Sequence, residues 1–124
     1  MPREHSDASF LRDMLAAAQA VVSFTKDRTL EQYSADLLLR SAVERQIEII
    51  GEAARAVSSA FKAEHPDIPW AKIMRQRHVL AHHYGEIEDE RMWRVATIHI
   101  PILIGQLQPL SPNQSTPPSP DQQP

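Results

Sequence analysis

Residues 30–63, LEQYSADLLLRSAVERQIEIIGEAARAVSSAFKA, contain no proline and carry apolar side chains at three- and four-residue steps. Tyr33, Leu37, Leu38, Ala42, Val43, Ile47, Ile50, Ala53, Ala54, Val57 and Phe61 make up the stripe. That spacing places them along one side of an α-helix. The stretch predicts one long amphipathic helix that starts near Thr29 or Leu30 and ends near Ala63. Gly51 falls in its middle, where glycine costs about 1 kcal/mol relative to alanine. Close approach of a neighbouring helix accounts for it, as does a kink.

Upstream, Phe10, Leu11, Met14, Leu15, Ala18, Val21 and Val22 repeat the pattern, with Asp7 or Ser9 as cap. Downstream, Pro66 and Pro69 break the chain. A third helix is predicted from about Pro69 to His83, capped by Asp67 and closed by Gly85. A fourth begins near Glu88 or Asp89 and ends near Gln108, with Pro101 kinking or dividing it. Its apolar positions include Met92, Trp93, Val95, Ala96, Ile98, Ile102, Leu103 and Leu107; Trp70 and Trp93 read as core. Six of the ten prolines lie in residues 109–124, a composition that builds no core. The expected organisation is an all-α bundle of four to five helices over residues 1–108 and a disordered tail over 109–124.

Composition narrows the function. The chain has 124 residues and a net charge of −3. A protein that holds nucleic acid by overall positive charge looks different, so an RNA contact needs a local basic patch. With no cysteine, thiolate metal sites are excluded. No signal peptide or membrane-length apolar run is visible, so a cytoplasmic, membrane-free protein is expected.

One segment concentrates cations. Residues 72–85, KIMRQRHVLAHHYG, hold three Lys/Arg and three His with no Asp or Glu between them. Metal-free RNA cleavage needs a base for the ribose 2′-hydroxyl, an acid for the leaving oxygen and a cation for the phosphorane. Histidine serves in either proton role, and arginine presents a fixed fork of donors to phosphate. Arg77 and His82 are thus candidates, but five residues separate them, about 140° on a regular helix. Either the helix loosens towards Gly85, or a second chain completes the site across a two-fold axis. Arg75 shares a face with His82 and reads equally as a phosphate contact or a surface charge. His78 and His82 stand at i and i+4, yet two ligands do not make a closed metal site, and no metal or other cofactor is expected.

Arg77-x4-His82-x-Tyr84 resembles the Arg-x4-His-x-Tyr motif of HepT-like toxins, within the HEPN superfamily. Ile49-Ile50-Gly51-Glu52-Ala53, Pro66-Asp67-Ile68-Pro69-Trp70, and Trp93 with Pro101-Ile102-Leu103 are similar to further family segments in the same order. The resemblance spans about residues 8–108. It implies a metal-independent endoribonuclease toxin, a homodimer, of a type VII-like toxin–antitoxin system. Its partner would be a minimal nucleotidyltransferase (MNT) antitoxin that attaches AMP to the motif tyrosine. Carried over, Arg77 and His82 are catalytic and Tyr84 is the modified residue. His78 departs from the family's usual asparagine and is a possible RNA contact. Glu52 is a candidate to orient a motif arginine, or simply faces solvent.

Plainer readings stand beside these. Arg77 and His82 also suit a solvated helix end, and Tyr84 a packing residue. At the level of function, the alternative is a non-catalytic helical dimer that binds nucleotide or RNA and partners a nucleotidyltransferase, or a purely structural partner of that enzyme.

Overall fold

Ser6, in extended backbone, accepts a hydrogen bond from the Ser9 amide at 3.2 Å and caps α1 (Asp7–Thr25). The expected caps, Asp7 and Ser9, therefore lie inside the first turn. In the computed structural model, which describes residues 6–75 and 86–110, Asp7 has a different task. Its carboxylate accepts from the Ser58 amide at 2.8 Å and from the Ser58 hydroxyl at 2.7 Å, tying the start of α1 to a distant turn. At the other end of α1, the buried Thr25 hydroxyl donates to the Val21 carbonyl at 2.9 Å. The chain then turns through Asp27, at φ 61°, a left-handed conformation that aspartate tolerates.

The long helix expected over residues 30–63 is instead three helices: α2 (Leu30–Ala35), α3 (Leu37–Ala56) and α4 (Ser59–Glu64). Thr29 and Gln32 close a reciprocal capping box at the start of α2. Asp36 makes the first break. Its amide donates to the Tyr33 carbonyl while its carboxylate accepts from the Leu39 amide, so one residue ends α2 and begins α3. Ser58, held by Asp7, makes the second break and caps α4 by accepting from the Phe61 amide. Short polar side chains that bond the nearby backbone offer the chain this alternative to a continuous helix.

The break at Asp36 resets the phase of the apolar stripe. Leu39, Val43, Ile47, Ile50 and Ala54 are buried, whereas Leu37 and Leu38, expected in the core, are 67% and 80% exposed. The buried face of α3 packs along α1, on Leu11, Met14, Leu15, Ala18 and Val21. Gly51 is buried on α3.

The segment after α4 is pinned from several sides. The Trp70 indole donates to the His65 carbonyl at 3.0 Å. Phe61 stacks on His65 and meets Trp70 edge-on, with the Lys62 ammonium 5.9 Å from the Trp70 ring centroid. Residues 70–75 are helical (α5), and the Pro69 carbonyl, not the Asp67 side chain, occupies the capping position by accepting from the Ile73 amide. The expected end of this helix at His83 and Gly85 lies outside the described residues.

The last helix runs in two pieces, as proline in its interior suggests. α6 (Glu86–Arg94) starts two residues before the expected position and passes into a π-helical turn, Val95–His99. α7 (Ile100–Leu107) follows, then a 3-10 turn, Gln108–Leu110. Pro101 has no amide hydrogen to give the carbonyl one turn earlier, so the ladder cannot continue in α register there. The Ile100 amide reaches the Val95 carbonyl instead, the wider i to i+5 spacing. Leu103 and Leu107 are buried against α1, while Ile98 and Ile102 are 51% and 58% exposed, contrary to expectation. Trp70 is buried and Trp93 packs half-buried on the core, against Tyr33. Among the described residues every regular element is helical and no strand occurs, as expected of an all-α bundle. Pro109 and Leu110, assigned above to the tail, close the last turn, and Leu110 packs on the core. The remainder of that tail lies outside the described residues.

Candidate functional site

α3, the Asp67–Arg75 segment, α6, the π turn and α7 enclose a cavity of about 430 Å³. Its buried lining is apolar: Ile47 and Ile50 from α3, Ile100 and Leu103 from α7. Its outer lining is basic. Lys72 and Arg75 stand on α5, Arg91 and Arg94 on α6, and His99 at the end of the π turn. Asp67 is the one carboxylate that lines it among the described residues.

Local structure explains why these side chains converge. The Gln106 amide donates to the Asp67 carbonyl at 2.9 Å and fastens α7 to the loop that launches α5. The Trp70 bond described above fixes the other side of that loop. Along the last helix, Arg91, Val95, His99, Ile102 and Gln106 line the cavity at steps of three or four residues, with Arg94 beside Val95. His99, four residues after Val95, lines the cavity with it, and the wider π turn leaves Ile98 facing solvent. Such turns inside α-helices recur at functional sites.

The electrostatic contrast with the rest of the chain is local. The protein is acidic overall, yet among the described residues four Lys/Arg side chains meet a single Asp around one cleft. None of the four is ion-paired with a carboxylate among the described residues. Cations on low-dielectric walls, without a carboxylate partner among the described residues, focus a positive potential into the cleft. The arrangement suits a phosphate-bearing ligand with an apolar part. Among the described residues no group of three or more His, Asp or Glu side chains is placed to hold a metal ion.

Of the residues singled out in the sequence, Arg75 lines this cleft. Glu52 is exposed on α3. Arg77, His78, His82 and Tyr84 lie outside the described residues. Lys72 belonged to the basic run but was not singled out, and Arg91, Arg94 and His99 were missed. Their signal was helical spacing, Arg91 and Arg94 at i and i+3, obscured by Glu86, Glu88, Asp89 and Glu90 just before them.

Comparison with known proteins decides the family. Residues 14–110 match the Ribonuclease HepT-like family. The chain belongs to the HepT-like ribonuclease family. It is 34% identical over 110 residues to the "Probable ribonuclease HepT" of Thermococcus cleftensis, covering 89% of this chain and 98% of that protein. It is also 34% identical over 93 residues to the "Putative RNase MJ1380" of Methanocaldococcus jannaschii, covering 75% and 85%. A protein of Caldanaerobacter subterraneus named "Putative RNase TTE0752" is 29% identical over 94 residues, 76% of this chain and 84% of that one. No solved structure matches the chain. The expectation of a HepT-like ribonuclease is met at the level of the family, and no described helix is long and apolar enough to cross a membrane.

Proposed function

We propose that the protein is a metal-independent endoribonuclease toxin that acts as a homodimer. Family membership together with the basic cleft carries this reading. The cleft opens beside α5, whose described residues end at Arg75, two positions before the motif arginine. The ribose 2′-oxygen attacks the adjacent phosphorus and gives up its proton. The bond from phosphorus to the 5′-oxygen breaks, and that oxygen takes a proton as it leaves. The products are a 2′,3′-cyclic phosphate and a 5′-hydroxyl end. His82 moves a proton in this exchange, and Arg77 stabilises charge on the phosphorane. Arg75 and His78 extend the contact to the strand, and Glu52 orients a motif arginine.

Cleavage of RNA by the pure protein in EDTA tests the activity. His82→Ala should lower the rate by about 10²–10⁴, the usual contribution of a positioned acid or base. A variant as fast as the parent removes His82 from the mechanism. RNA that is bound but never cut in the parent supports instead the non-catalytic binding dimer.

The same proposal includes silencing by a cognate nucleotidyltransferase antitoxin that transfers AMP to Tyr84, in the cytoplasm. The first transfer joins the Tyr84 oxygen, which loses its proton, to the α-phosphorus of ATP and releases pyrophosphate; any further AMP joins a ribose hydroxyl of the AMP already attached. Intact mass after co-expression should rise by whole AMP units, and Tyr84→Phe should abolish the gain. A gain that survives the substitution places the modification elsewhere.

A further inference from the structure

The cleft's two kinds of lining specify more than a general taste for RNA. Its floor is closed by buried Ile50, Ile100 and Leu103, and its mouth is edged by exposed Ile102 and by arginines on α6. We infer that this cleft is a subsite for one unpaired nucleotide of an RNA strand, its base against the isoleucines and its flanking phosphates on Arg91 and Arg94. The inference rests on the ribonuclease reading for its substrate, but its own evidence is the geometry of the cleft.

Three observations support it. A cavity of about 430 Å³ falls within the range of small-ligand clefts, about 300–1,000 Å³. It suits a nucleotide turned out of its stack, not a double helix, whose bases are covered and whose grooves are met by extended surfaces. The floor is apolar, which suits the face of a base and disfavours a bare sugar–phosphate segment. The arginines stand one helical turn apart beside this floor, where their planar forks meet phosphate oxygens. An acidic protein segment that carries an aromatic ring is the rival occupant, and the double arginine variant below separates it from RNA.

The test uses the full-length parent chain and a fluorescein-labelled oligouridylate carrying 2′-O-methyl groups, which has no hydroxyl to attack and stays intact. Binding is followed by anisotropy over a range of salt concentrations, beside a duplex of the same length. The single strand should bind at least about tenfold more tightly than the duplex. Arg91→Gln with Arg94→Gln should weaken binding about tenfold or more and lower the salt slope by about 1.4, or 0.7 for each phosphate contact on a single strand. Ile102→Ser should weaken binding severalfold with the salt slope unchanged. Arg12→Gln, one cation removed from the exposed face of α1, should leave binding as it is; circular dichroism checks that every variant is folded.

Equal binding of single strand and duplex overturns the inference. So does parental affinity and slope in the double arginine variant, the result expected if the cleft holds an acidic protein segment. Failure of the ribonuclease reading looks different. In that case unmodified RNA is not cut, while binding of the probe still depends on Arg91 and Arg94. Conversely, cutting by the double variant with an unchanged KM removes the subsite and leaves the ribonuclease standing.

Discussion

α6 carries two groups of charge that the fold treats in opposite ways. Near its start Asp89 lies 3.7 Å from the Arg40 guanidinium, which also donates to the Ser34 carbonyl. Glu44 and Tyr33 complete that cluster, and burial raises the titration of both, with Asp89 adding to the effect. Near the end of α6, Arg91 and Arg94 face a cleft in which cations outnumber carboxylates among the described residues. Paired charges, half-buried, fix α2, α3 and α6 to one another. Cations with no carboxylate partner among the described residues add no such cross-link there, and the proposed subsite gives them a different use, the field they present to a ligand. A single residue, Glu90, lies between the paired Asp89 and the cleft-lining Arg91.

Removing the paired cation should have the largest effect on folding. Arg40→Ala leaves Asp89 and Glu44 facing each other and the Ser34 carbonyl without its donor. The expected cost is about 1–3 kcal/mol, the range for breaking a partly buried charged hydrogen bond. Urea unfolding measures it, and the salt slope of RNA binding should not move. If Arg40→Ala weakens RNA binding as strongly as it lowers stability, the two groups are not separate.

The cleft should give the reverse pattern. Arg91→Gln with Arg94→Gln removes two cations, one half-buried and one exposed, that have no carboxylate partner among the described residues, so stability should stay within about 0.5 kcal/mol of the parent. A loss of several kcal/mol in the urea experiment would make these arginines structural and blunt the contrast.

The same division decides what could be read from the sequence. Apolar periodicity in α1 and in the later part of α3 reports burial directly, since Met14, Val21, Val43 and Ile50 each lie inside. It failed at Leu37 and Leu38, because one aspartate bonding the backbone at residue 36 resets the helix phase and periodicity carries no record of that. Pro101 announced an interruption correctly, but its form, a π turn that ends at His99, depends on which carbonyl the Ile100 amide reaches. Arg75, which lines the cleft, was singled out because no acid stands near it in the sequence. Arg91 and Arg94 were hidden by the acids before them, and Asp89 among those acids is already bonded to Arg40. Net charge along a segment cannot tell a neutralised cation from a free one; only the packing partner does.

Glu44 offers the finest test of the paired cluster. Burial pushes its carboxyl above the ordinary value of 4.5, and the neighbouring charge of Asp89 pushes the same way, against Arg40. A raised value in the folded chain means that the folded state holds the proton more tightly than the unfolded one. Below about pH 4.5 both states are protonated and the full contribution to stability is present. As pH rises the unfolded chain releases its proton first, and the contribution is lost through the folded-state value. Glu44→Gln keeps the shape and cannot ionise, so it should match the parent in acid and exceed it in urea midpoint at neutral pH. Because Glu44 is only half-buried, solvent screens the effect and the gain should be the smallest of the series. A difference between parent and variant that is the same at every pH would place the effect of Glu44 in packing, and the charge balance around Asp89 would then rest on Arg40 alone.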